Sequence, residues 1–382
     1  MEYSDIFIPV AEHLQRFGAA KLSEQWGSRI KYGVKGFDWA WLGDFKVALV
    51  GLRKPGAPNS FVALREELYA LFAHGKSLPV IDLGDVEVAL PGTGDASGEK
   101  SACALHKLLA AGIFPVVFGE NILSAGSVYD AVKAHRKTVA ATFILPSATL
   151  GNAQEPISGS NVLAHFMKDY GRELEALSVI AYQSYLTSPA DMQRLGDRYC
   201  ELLRLGAVRE NILRAEPLLR DADVLCAGVN AVRQCDAPAA LDPSPNGLYA
   251  EEMCHLLRLA AFSDKLKACY LGNFSLANDG QRQTAKLIAQ LIWHIADGVA
   301  CRVSDDPAEA KTCRKLQIEM GGKDQQLVFY QSKITDRWWM AIPVDKRDAV
   351  RIVPCERSDY EKALRLEIPD RWLWFYKKFA AE

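Results

Sequence analysis

Short, near-continuous apolar runs separated by longer amphipathic stretches constrain this chain more than any other feature. Lys46-Val47-Ala48-Leu49-Val50-Gly51 and Phe114-Pro115-Val116-Val117-Phe118-Gly119 are two such runs. Others span Thr138 to Leu145, Leu177 to Tyr182, Asp223 to Val229 and Lys267 to Phe274. A strand with one wet face alternates apolar and polar residues, whereas a strand covered on both faces is apolar at nearly every position. Strands of the second kind belong to parallel sheets whose crossover helices lie on both sides. The intervening stretches predict those helices at about 59–74, 124–136, 188–205, 247–262 and 281–302. The expected fold class is α/β, a three-layer sandwich with a mostly parallel central sheet.

The pattern changes after about residue 305, where Asp305-Asp306-Pro307 ends the last long helix. Hairpin-like runs follow at Gln326 to Tyr330, Trp338 to Ile342 and Arg351 to Pro354, then a closing helix. We therefore expect a sandwich domain over 1–305 and a C-terminal extension over 306–382. Four of the eight tryptophans fall in that extension, within Asp336-Arg337-Trp338-Trp339 and Arg371-Trp372-Leu373-Trp374. They suit either an aromatic patch that grips a partner or an extension packed onto the main domain by its own rings. The second reading is preferred.

Charge and composition remove several function classes. Lys and Arg number 45 against 47 Asp and Glu, a net charge of -2, too balanced to attract nucleic acid or an anionic membrane. The opening MEYSDIFIPVAEHLQRFG lacks the basic start and apolar core of a signal peptide, and no run is long enough for a membrane-spanning helix. A cytoplasmic location is expected. The nine cysteines are scattered without a CxxC pair, which favours buried, reduced thiols over disulfides or zinc.

In open α/β sheets, ligands bind beyond the carboxyl ends of the strands, so catalytic groups are sought there. Gly92-Thr93-Gly94-Asp95-Ala96-Ser97-Gly98-Glu99-Lys100-Ser101 has the look of a phosphate loop but breaks its glycine and lysine spacing, and reads as a turn before a helix. The seven histidines never form HxH, HxxxH or HExxH, and no GxSxG elbow is present. The strand ends look empty of catalytic groups.

The segment Asp221-Ala222-Asp223-Val224-Leu225-Cys226-Ala227-Gly228-Val229-Asn230-Ala231-Val232-Arg233-Gln234-Cys235-Asp236, followed by Ser244-Pro245-Asn246-Gly247-Leu248-Tyr249, resembles the third metal-binding region of the arginase, agmatinase and formimidoylglutamase (ureohydrolase) family. Gln283-Thr284-Ala285-Lys286-Leu287-Ile288 and Asp336-Arg337-Trp338-Trp339 place the likeness nearest a formimidoylglutamase-like branch with a C-terminal extension. The resemblance implies an arginase-like fold. It also implies two manganese ions whose bridging hydroxide attacks an amidine carbon.

Carried over by that resemblance, the metal-binding His falls on Ile122, after Phe118-Gly119-Glu120-Asn121. The Asp-x-His-x-Asp strand end falls on Leu145-Pro146-Ser147-Ala148-Thr149, and the last carboxylate pair on Gly228 and Asn230. An acidic substrate-binding residue falls near Asn273. Ile122, Leu145 and Gly228 offer no anionic oxygen or imidazole, so neither metal nor another cofactor is expected and no catalytic residue is assigned. The expectation is a non-catalytic family member acting as a binding or structural protein, through an unknown protein partner or self-association. A small polar ligand would meet Asn121, Ser147, Asn230, Asp236 and Asn273 in the vestigial cleft. The alternative is a working metal-dependent C–N hydrolase of linear amidines.

Overall fold

In the computed structural model, residues 2–56, 61–73, 78–88, 97–152, 154–156, 158–308, 311–321, 326–344 and 349–381 are described. Nine strands form one sheet: β1 (Lys31–Tyr32), β2 (Val47–Arg53), β3 (Val80–Glu87), β4 (Phe114–Gly119), β5 (Val139–Ile144), β6 (Leu174–Tyr182), β7 (Glu201–Arg204), β8 (Val224–Gly228) and β9 (Ala268–Gly272). They lie in the order β1-β3-β2-β4-β9-β8-β5-β6-β7, and every neighbouring pair is parallel. The α/β class and the parallel sheet expected from the apolar runs are what the chain adopts.

The strands are apolar throughout because alternate side chains feed two different cores. Val47, Leu49, Val116, Phe118, Leu225 and Ala227 point into one, packed under helices Val62–Ala70, Ala250–Ala261 and Gln283–Ala300. Ala48, Val50, Val117, Val224 and Cys226 point into the other, under helices Ser97–Ala110, Ala125–Lys133 and Val162–Tyr170. Two apolar layers on one sheet make the expected three-layer sandwich.

Two sequence expectations need correction. The helix expected over 188–205 stops at Asp197, and β7 follows it. Tyr199 adopts φ 51°, a left-handed conformation that cannot continue a helix, and the Cys200 amide turns back to the Leu195 carbonyl at 3.0 Å. Sequence reading also passed over β3, whose Asp82 and Asp85 interrupt its apolar run. Gly92 to Ala96 lie outside the described residues; from Ser97 the chain is helical.

A separate antiparallel sheet follows, with β10 (Cys313–Glu319), β11 (Gln326–Ser332), β12 (Trp338–Val344) and β13 (Ala349–Cys355) in sequential order. Helices Arg357–Leu364 and Asp370–Ala381 complete this unit, whose own core holds Phe329, Trp338, Met340, Phe375 and Phe379. It is tied to the sandwich by cations. Arg220 lies 4.3 Å from the Trp339 ring and donates to the Trp338 carbonyl at 2.8 Å. Arg337 pairs with Glu216 at 3.1 Å, and Arg371 pairs with Glu201 on β7. Trp338 and Trp339 are buried, so these two rings serve packing rather than an exposed patch.

Candidate functional site at the strand carboxyl ends

Strands β4, β9, β8 and β5 are consecutive neighbours at the centre of the sheet. Their carboxyl ends therefore gather Gly119 to Ile122, Asn273, Gly228 to Asn230 and Leu145 to Ser147 at one place, where ligands of open α/β sheets bind. Asn273, immediately after β9, has φ 62°, a conformation Asn tolerates better than most residues. From this bend its side-chain carbonyl accepts the Ile122 amide at 3.0 Å, and its NH2 donates to the Asn230 side-chain oxygen at 3.2 Å. Both asparagines are buried. Asn121 caps the short helix Ile122–Ser124, its side-chain oxygen accepting the Leu123 amide at 3.0 Å, and its backbone carbonyl accepts the Tyr270 hydroxyl.

Three of the five residues singled out from sequence are thus drawn together, with Ile122 linking Asn121 to Asn273. The other two are not part of that network. Ser147 is half-buried on the turn after β5, and among the described residues no hydrogen bond joins it to the asparagines. Asp236 accepts a two-pronged contact from Arg233 at 2.8 and 3.1 Å and caps the first amide of helix Ala250–Ala261, from Ala250, at 3.1 Å. Hydrogen bonding from Arg233 holds its carboxyl below the usual aspartate range.

The centre of the cluster is closely filled. A Cβ placed on Gly228 would stand 2.5 Å from the Asn230 side-chain oxygen and 3.0 Å from a Leu145 methyl. Ile122 and Leu145 are themselves buried. Backbone bonds lace the surrounding turns to one another: Phe274 to Glu120 at 3.1 Å, Leu241 to Asn273 at 2.9 Å and Gln183 to Pro146 at 2.9 Å. Among the described residues, no group of three or more His, Cys, Asp or Glu is placed to hold a metal ion.

No protein-family model matches the sequence, and no curated protein matches it. Solved structures do. A Trypanosoma cruzi formiminoglutamase with manganese superposes with a TM-score of 0.59 at 15% identity, covering 68% of this chain and 95% of that one. The formimidoylglutamase of Bacillus subtilis gives 0.59 at 16% identity over 68% and 89% of the two chains. An arginase from Bacillus subtilis gives 0.52 at 14% identity over 65% and 98%. The chain has the arginase fold.

Within this arginase fold, a buried charged cluster lies on a neighbouring part of the sheet, and no sequence motif marks it. Arg65, from helix Val62–Ala70, meets Asp82 at 2.9 and 3.1 Å and Asp85 at 2.8 Å, with all three side chains almost wholly buried. The Tyr69 hydroxyl donates to Asp82 at 2.8 Å. In a regular strand, residues 82 and 85 would face opposite sides. An irregularity in the β2–β3 register, with Gly84 at φ 81°, turns both carboxylates toward Arg65. Gly51 makes room, since a Cβ there would lie 2.2 Å from an Asp85 oxygen. The available signal was two aspartates in an otherwise apolar run. Both carboxylates turn to the one buried guanidinium, which makes this cluster a support of the arginase fold rather than an open site.

Proposed function

We propose that this protein is a non-catalytic relative of the arginase and formimidoylglutamase enzymes, acting by binding or as a structural subunit. The observation that carries the proposal is the occupied space at Gly228, where a Cβ would stand 2.5 Å from the Asn230 side-chain oxygen and 3.0 Å from a Leu145 methyl. The donor set around it does not suit a pair of manganese ions. Hard divalent cations need several anionic oxygens with imidazole, whereas Ile122 and Leu145 end in methyl groups and the amides of Asn230 and Asn273 bond each other. In this reading Asn121, Ser147, Asn230, Asp236 and Asn273 are what remains of the cleft, open at most to a small neutral or singly cationic polar ligand. The unit over 306–382 is an addition to the fold, and self-association or a protein partner supplies the role. A cytoplasmic location fits this reading. No helix among the described residues is long and apolar enough to cross a membrane.

The second reading is a metal-dependent C–N hydrolase of linear amidines, favoured by the similar structures being described as formiminoglutamases and an arginase. Metal content separates the two. We expect purified protein, after exhaustive dialysis, to carry no stoichiometric manganese. Its melting temperature should be unchanged by EDTA or manganese, because a fold that does not bind a metal gains nothing from it. Manganese near two per chain, with release of urea or formamide from arginine, agmatine or formiminoglutamate, would establish the hydrolase instead. A melting shift with one of those compounds in the absence of turnover would favour a retained ligand site over a purely structural role.

A further inference from the structure

At the opposite end of the sheet, where β2, β4 and β9 begin, a cavity of about 560 Å³ opens. That volume is in the range of small-molecule sites. Lys46, Arg136, Lys267 and Arg302 line it together with His135, and no Asp or Glu does so among the described residues. Its wall is apolar, formed in part by the half-buried Leu78, Leu109 and Val299, with Phe114 and Leu266 buried behind them.

The cations have different claims on them. Arg302 donates to the carbonyls of Ala261 and Leu266 at 2.8 and 2.9 Å and lies 4.7 Å from the Phe114 ring, so it is committed to holding the wall. Arg136 pairs with Asp223. These two follow the carboxyl ends of helices Gln283–Ala300 and Ala125–Lys133, where a cation offsets the negative end of the helix dipole. That explanation does not extend to Lys46 and Lys267, which precede strands β2 and β9. Among the described residues, the Lys267 ammonium donates only to the Asp264 backbone carbonyl, at 2.8 Å. Its charged form is disfavoured first by burial and then by Arg136 and Arg302, with Asp264 and Asp223 opposing. The Lys46 ammonium has no ion pair or hydrogen bond among the described residues.

We propose that this cavity binds a small dianion with an apolar body, of the phosphate-monoester class. Two lysines without an ion pair among the described residues supply the counter-charge, and the wall of Leu78, Leu109 and Val299 receives the body. Each ammonium would gain a charge-assisted bond that the protein leaves unmade. The site lies at the end of the sheet away from the asparagine cluster, so its fate is independent of the function proposed above.

The test is calorimetric titration of the full chain with naphthyl phosphate at low salt, with uncharged naphthol as comparator. Wild-type protein should bind the phosphate, more weakly as salt is added, and bind naphthol at least tenfold less tightly. Lys46→Glu should weaken phosphate binding at least tenfold. Lys267→Met should do the same. Lys46 is exposed, so its variant should fold normally and can decide the matter alone if Lys267→Met does not fold. Absence of wild-type binding at millimolar phosphate ester would overturn the proposal. So would equal binding of naphthol, or undiminished binding by a folded Lys46→Glu protein.

Discussion

Single atoms decide what the strand ends can do. Gly228 sits where the resemblance puts a metal-binding carboxylate, yet the nearest oxygen to its missing Cβ belongs to Asn230, at 2.5 Å. Gly228→Asp should therefore cost about 1–3 kcal/mol of stability by overpacking, measured by denaturant unfolding, and added manganese should not restore it. A rise in stability with manganese in that variant would mean the old ligand geometry survives. Asp236 permits a test in the other direction. Its depressed carboxyl contributes stability that is fully present above the ordinary aspartate value of 3.8 and lost as pH falls through the lower folded value. Asp236→Asn should be less stable than wild type at neutral pH, and the gap should close in acid. Unfolding curves at both pH values check this, and a gap that persists in acid would mean the charge is not the cause.

At the scale of elements, the buried arginines decide how the antiparallel sheet sits on the sandwich. Arg337 reaches Glu216 at 3.1 Å and Asp305 at 3.8 Å, with Asp305 nearly inaccessible to solvent. Arg337→Ala would leave the buried Asp305 without its cation and Glu216 with Arg220 alone, at 3.2 Å, at a cost of about 3–5 kcal/mol. The expected signs are earlier unfolding and a red shift of tryptophan emission as Trp338 and Trp339 meet water. Unchanged emission and stability would show that the unit is held without Arg337, by its apolar contacts and the Arg220 and Arg371 ties. The same arithmetic of burial explains which elements could be read from sequence. β2, β4, β5, β6, β8 and β9 were legible because two cores demand apolar residues at successive positions. β3 was not, because its two aspartates are tolerated only through Arg65, a contact 17 residues away for Asp82. β7 was absorbed into a helical pattern that only the backbone turn at Tyr199 breaks. At the strand ends, the missing ligand chemistry was visible as Ile122, Leu145 and Gly228, whereas the bond between Asn230 and Asn273 depends on a left-handed backbone that no spacing reveals. The partners of Asp236, Arg233 and the Ala250 amide, look unremarkable in sequence.

For the molecule as a whole, burial also sorts the thiols. All nine cysteines are free; Cys235 is exposed, Cys103 and Cys301 are half-buried, and the other six are buried. Burial pushes the Cys226 and Cys269 thiols up, away from the reactive thiolate. A colorimetric thiol reagent should find one fast-reacting group, two slow ones and six that respond only on unfolding; loss of the fast group in Cys235→Ser identifies it. The attachment of the last unit has a different kind of consequence. Arg371 and Glu201 join its closing helix to β7, the outermost strand of the nine, and Lys378 reaches back to the Glu175 carbonyl at 3.2 Å. An outermost strand is a template on which further strands can add. The closing helix is therefore a guard at the margin of the sheet, and a chain shortened at residue 305 would be expected to fail first through strand-to-strand aggregation, before any question of binding arises.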